Sequence, residues 1–123
     1  MRPWLFLAGL NGALAVLLGA VAAHALQNRL DAHAQALFET AARYHLAHAL
    51  ALGLAAFAIG HGGGRAATIA AALFVIGIVL FSGSLYLYAL VGERALAFVT
   101  PFGGVALIAG WIALAASALR VHQ

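Results

Sequence analysis

"AATIAAALFVIGIVLFSGSLYLYAL", residues 66–90, decides the fold: 25 consecutive positions carry no charge. Wound as an α-helix at 1.5 Å per residue, this stretch reaches about 38 Å, enough to cross a hydrocarbon core of roughly 30 Å. Three further apolar runs lie at residues 3–25, 44–60 and 101–119. The whole chain is 66% hydrophobic and only 7% charged. A soluble domain has roughly a quarter of its residues charged, so too little polar material is present here to face water. The reading is a single all-α domain over 1–123, an integral membrane four-helix bundle in the lipid bilayer.

The second run is short for a span, which suggests that its helix begins earlier. Leu30, Ala34, Leu37, Phe38 and Ala41 make an apolar stripe at helical spacing behind Asp31, a residue suited to an N-cap. Residues 31–42 are therefore expected as a short interfacial amphipathic helix between spans 1 and 2, bending or running on into the second span. The first run, with "AHA" at 23–25, loosely matches a cleaved secretory signal. Its apolar stretch is long for a signal core and one positive charge precedes it, so it is read as a span. "HGGGR" (61–65) is a flexible turn. Gly92 is placed to end the third helix, and Thr100-Pro101 to cap and open the fourth.

Charge excludes several classes. Six Arg face three acids and give a pI near 10.2, but the Arg stand singly at the ends of apolar runs. Nucleic-acid binding needs them clustered, so no nucleic-acid partner is expected; scattered Arg anchor helices at headgroups. Cys is absent, which removes disulfides and thiolate chemistry. Arg2, Arg65 and Arg120 fall on one side and Arg29, Arg43 and Arg94 on the other. The count ties. Because Arg43 belongs to a helix, the balance tips toward a plasma (inner) membrane protein with both termini cytoplasmic.

Helices in lipid associate through close packing of small residues and a few polar contacts. Gly103, Ala106, Gly110, Ala113 and Ser117 form such a seam in the fourth span; Ala70, Gly77 and Ser84 recur every seven residues in the third. These two spans should interlock as antiparallel neighbours. The first span has two small stripes, one with Asn11, Gly12, Ala15, Gly19 and Ala22, the other with Gly9, Ala13, Ala20 and His24. That pattern predicts contact with two neighbours. Gly12, Gly19, Gly77, Gly103 and Gly110 are the expected packing glycines.

Alternating chain direction gathers polar side chains at one membrane face. His24 closes the first span, Tyr44, His45 and His48 open the second, Ser82, Ser84 and Tyr86 end the third, and Thr100 opens the fourth. By helical rise they should share a layer within about 12 Å of the boundary. Each has an ordinary structural role available: tyrosines as an interfacial belt, serines bonded back to helix carbonyls, histidines neutral and hydrogen-bonded, Asn11 as an interhelical tie. Glu39 and Arg43, four apart, are ordered to pair. A metal or haem on His24, His45 and His48 would lack a carboxylate or thiolate at that depth, so neither metal nor other cofactor is expected. No nucleophilic triad or phosphate loop is present, and no catalytic residue is assigned.

"LFSGSLY" (80–86), "AFVTPFGGVALIAGW" (97–111) and the pair "GAVAAHAL" (19–26) and "TAARYHLAHAL" (40–50) resemble the small four-span proteins of the domain of unknown function 423 family, which includes the transmembrane protein 256 group. The resemblance implies a four-span fold and points to His24, Tyr44, His48, Ser82, Gly83, Ser84, Tyr86, Thr100, Pro101, Gly103, Gly104, Gly110 and Trp111 as positions to watch. Family members tend to read Gly-Ala-Phe-Gly-Ala-His where this chain has Gly19-Ala20-Val21-Ala22-Ala23-His24, and position 45 is not always His in the family. Together these features predict a non-enzymatic scaffold or accessory subunit that works as a homo-oligomer or with a membrane protein partner. The alternative is binding or transport of a small molecule, proton or lipid headgroup through the polar face. Haem or metal binding ranks last.

Overall fold

A computed structural model describes residues 1–121, with side chains to residue 119; Arg120, used in the orientation reading, lies outside the described side chains. The elements are α1 (Arg2–His24), α2 (Ala32–Gly60), α3 (Gly64–Gly77), a π-helical segment (Ile78–Gly83), α4 (Ser84–Val91) and α5 (Leu96–Val121). The helix α3, the π segment and α4 form one rod, so four helices are long and apolar enough to cross a membrane: Arg2–His24, Ala32–Gly60, Gly64–Val91 and Leu96–Leu119. The protein is an all-α integral membrane protein with four spans.

Two helices start earlier than hydropathy suggests. Asp31 accepts a hydrogen bond from the Ala34 N–H at 2.8 Å and starts α2 about three turns before Tyr44. The amphipathic residues 32–42 are thus the first part of the second span itself, the running-on alternative. The helix α5 begins at Leu96, so Thr100 is not its cap and Pro101 is not its first residue. Tight bonds from Leu96, Ala97 and Phe98 N–H to the carbonyls of Glu93, Arg94 and Ala95 wind the opening turn. Pro101 follows in the second turn, where its missing N–H forgoes a bond to the Ala97 carbonyl. Between these spans Gly92 adopts φ 75° and donates its N–H to the Tyr88 carbonyl at 2.8 Å, a left-handed stop that a side chain would disfavour.

The most extensive contacts are α1 with α2 and α3 with α5, with α2 also packed along the third span. At the first seam Ala8, Ala15 and Ala22, seven residues apart, are the buried residues of α1. Gly9, Ala13, Ala20 and His24 are exposed, so among the described residues the second small stripe is not covered by another span and α1 packs chiefly on α2. At the second seam glycines receive bulky groups. Gly77 receives Leu107, Gly110 receives the Phe74 ring, and Gly103 lies against the backbone of Leu80 and Phe81. Buried Ala51, Leu52 and Ala55 of α2 join Phe74 and Leu107 in the main core.

The π segment lies where two neighbours press on the third span. On one side Ser82 Oγ donates to the Ala41 carbonyl of α2 at 2.8 Å; on the other Gly103 of α5 meets the Leu80–Phe81 backbone. Single-turn π segments recur at functional sites in helices. This one contains the first four residues of the "LFSGSLY" motif.

Candidate functional site: a histidine clasp on the second span

Two of the three imidazoles of α2, those of His45 and His48, are buried, and each reaches other spans. Asn11 fixes the polarity of the first. Its Nδ2–H donates to the Leu7 carbonyl at 2.8 Å, which turns Oδ1 toward His45. The amide oxygen only accepts, so His45 Nε2–H donates to it at 2.9 Å. Nδ1 of the neutral ring then accepts from the Tyr86 hydroxyl at 3.0 Å. A single directed chain therefore runs from the third span through the second to the first: Tyr86, His45, Asn11, Leu7.

His48 performs the same service toward the fourth span. The indole of Trp111 can only donate, and it does so to His48 Nε2 at 3.0 Å. Nδ1–H is left to donate to the Tyr44 carbonyl one turn earlier at 2.7 Å. The partners select the neutral Nδ1–H tautomer, because a carbonyl accepts and an indole N–H cannot. The ring is held by aromatics as well: Tyr44 stacks on it with centroids 6.0 Å apart, while Trp111 and Phe74 approach edge-on or tilted at 5.9 Å.

Of the residues expected in one layer, the structure brings most together and separates others. Tyr44, His45, His48, Ser82 and Tyr86 lie around the clasp. Ser84 and Thr100 form a second, shallower tie, with hydroxyl oxygens 2.5 Å apart and Ser84 also bonded to the Phe81 carbonyl at 2.9 Å. His24 is apart: it is exposed at the end of α1, more than three turns beyond Asn11. The layer is also deeper than expected. Asn11 is the tenth of 23 residues in α1, close to the middle of the span. The earlier start of α2 explains this, since it carries His45 and His48 about 20 and 24 Å along their helix.

Three partners escaped the sequence reading. Asn11 was expected to tie helices but not to meet His45. Trp111 carried only its place in a motif; a Trp near mid-span with a histidine at equal depth on a facing helix is the pattern that could have found it. Gln35 donates to the Ala22 carbonyl at 2.7 Å and to Glu39 Oε1 at 3.2 Å. Glu39 thus takes Gln35 rather than Arg43 as its neighbour. Gly12 and Gly19 also differ from expectation: a Cβ at Gly12 would meet nothing within 4 Å, and one at Gly19 only Ala42 Cβ at 3.9 Å.

The donor set does not fit a metal or haem. Both nitrogens of His45 and of His48 already hold protein partners, and His24 stands elsewhere. No group of three His, Cys, Asp or Glu side chains converges among the described residues. What the arrangement does chemically is hold four helices with directed, neutral hydrogen bonds in a medium that supplies no competing water.

A family model described as protein of unknown function (DUF423) matches residues 18–104, which include α2, the third span and the "TPFGG" turn of α5. The chain belongs to the DUF423 family. Its relatives match over nearly their full length. The UPF0382 membrane protein YwdK of Bacillus subtilis is 38% identical over 121 residues, 98% of each chain. The UPF0382 inner membrane protein YgdD of Escherichia coli K12 is 38% identical over 127 residues, 99% of this chain and 93% of that one. A UPF0382 membrane protein of Haemophilus influenzae is 37% identical over 114 residues, covering 93% and 91%. No solved structure matches this DUF423 chain.

Proposed function

We propose that this protein is a non-enzymatic scaffold or accessory subunit of the plasma membrane, its termini cytoplasmic, which presents a rigid four-span surface to a second copy or to another membrane protein. The observation that carries this reading is the clasp. The polar side chains at its centre are engaged by groups of the same chain, in neutral pairs that fix helix against helix. A site that binds or transforms substrate keeps convergent groups free to meet it. The inner-membrane name of the Escherichia coli relative supports the location.

Transport of a proton or small solute is the competing use of the same residues. The chain from Tyr86 through His45 ends on the Leu7 carbonyl, which has no proton to hand on. Cross-linking in native membranes tests the proposal. Wild type is expected to give a discrete complex, with itself or with a membrane partner, and His45→Leu/His48→Leu to lose it along with thermal stability. A wild-type monomer without partners, or a double variant that melts and assembles unchanged, would overturn the reading. Proton flux in proteoliposomes abolished by His45→Leu would install the alternative.

A further inference from the structure

Two consecutive glycines in α5 pose a separate problem. Gly in a helix is less favourable than Ala by about 1 kcal/mol, so each needs a reason. Gly103 has one: its neighbour is the backbone of Leu80 and Phe81. Gly104 has none inside the protein, for a Cβ there would meet nothing within 4 Å. It forms the floor of a groove of about 410 Å³ between the start of α2, the end of the third span and the start of α5, with Leu37, Phe81, Leu85 and Pro101 as apolar walls. His33, Leu37 and Tyr88 also line a second cavity of about 320 Å³, which continues the groove to Arg29, Asp31 and the Gly92 turn.

The two parts differ in chemistry as a bilayer does. From Tyr88 to Phe81 the groove descends about 10 Å along the third span, into the depth where hydrocarbon replaces water. Below His33 and Tyr88 at its upper end, the polar side chain in its wall, the Thr100 hydroxyl, already binds Ser84 and the Leu96 carbonyl. An apolar cleft open sideways in a membrane fills with acyl chain, because water gains no partners in it. At the mouth stand the exposed cation of Arg29, just before α2, and the exposed imidazole of His33 in the first turn of α2. Arg29 suits a phosphate by charge and by its fork of donors.

We infer that this groove is a binding site for one glycerophospholipid, an acyl chain lying over Gly104 and the headgroup phosphate at Arg29. The absent side chain at Gly104 is the space the chain occupies. The site is separate from the histidine clasp and does not depend on the scaffold proposal.

The test uses the full chain, reconstituted in vesicles of equal parts phosphatidylethanolamine and phosphatidylglycerol, re-extracted in mild detergent and weighed by native mass spectrometry. Wild type should retain one phospholipid. Gly104→Leu places a side chain in open space and so keeps the fold while filling the groove; its phospholipid adduct should fall at least about tenfold, the worth of two buried methylenes. Arg29→Gln, on the exposed mouth, should lower retention about fivefold and raise the relative retention of oleic acid, which lacks the phosphate. Equal adducts in wild type and a Gly104→Leu variant of unchanged melting temperature would overturn the site. So would wild type retaining oleic acid as well as phospholipid, or an Arg29→Gln variant that binds phospholipid as wild type does.

Discussion

At the α1–α2 seam an alanine every seven residues meets the facing helix, and the nearby glycines Gly12 and Gly19 keep room to spare. At the α3–α5 seam glycines replace alanines at the closest points, and Leu107, the Phe74 ring and the Leu80–Phe81 backbone occupy the positions their methyl groups would need. Both seams are small-residue seams in sequence, yet only the second depends on the missing atom. The difference shows what glycine does in a membrane helix pair. Where backbone or a branched side chain enters the hole, dispersion contacts replace the hydrophobic drive that lipid cannot supply. At Gly12, where no atom of the facing helix enters, glycine adds nothing to the seam and weakens its own helix.

The contrast can be broken most directly at Gly103. Gly103→Val should cost about 3 kcal/mol or more, because backbone cannot move aside as a flexible side chain can. Loss of the monodisperse species by size exclusion after mild heating checks it. The α1–α2 seam, by comparison, should depend on its polar tie. Asn11→Leu and His45→Leu are each expected to cost about 1 kcal/mol, since either leaves a buried partner unpaired. The double variant should fall short of their sum by a coupling of about 1 kcal/mol, read from thermal melts in a double-mutant cycle. Additive losses would mean that the His45–Asn11 bond contributes nothing to holding α1. The smallest effect is expected at Gly12. Gly12→Ala should be neutral or stabilise by about 0.5 kcal/mol through helix propensity and a less flexible unfolded chain. A loss there comparable to that at Gly103 would erase the distinction between the seams.

Much of this architecture was legible in the sequence because hydropathy reports what must be kept from water. Four uncharged or nearly uncharged runs suffice for four spans. Where each helix begins was less legible, since a helix can start in the polar zone without any hydropathy signal. Asp31 and the tight turn at residues 93–98 set the starts of α2 and α5, and the shift at α2 moved the histidines from the face toward the middle of the membrane. The π segment had no local signal either; it lies where Ser82 reaches Ala41 and Gly103 approaches, contacts far apart along the chain. In the site, residue types pointed to His45, His48 and Tyr86, but pairing did not follow from type. Trp111 and Asn11 complete the clasp because antiparallel helices bring equal depths together, and depth was what the run boundaries misplaced.

One consequence follows from both imidazoles riding on the same helix. During synthesis the first two spans exist before the last two, and at that stage His45 has Asn11 but no phenol, while His48 has only its own Tyr44 carbonyl. The nascent hairpin therefore enters lipid with two ring nitrogens lacking donors, and Tyr86 and Trp111 arrive later to fill those places. The amino-terminal half is left chemically unsaturated until the carboxy-terminal half docks, so the later hairpin has two specific polar handholds on the earlier one.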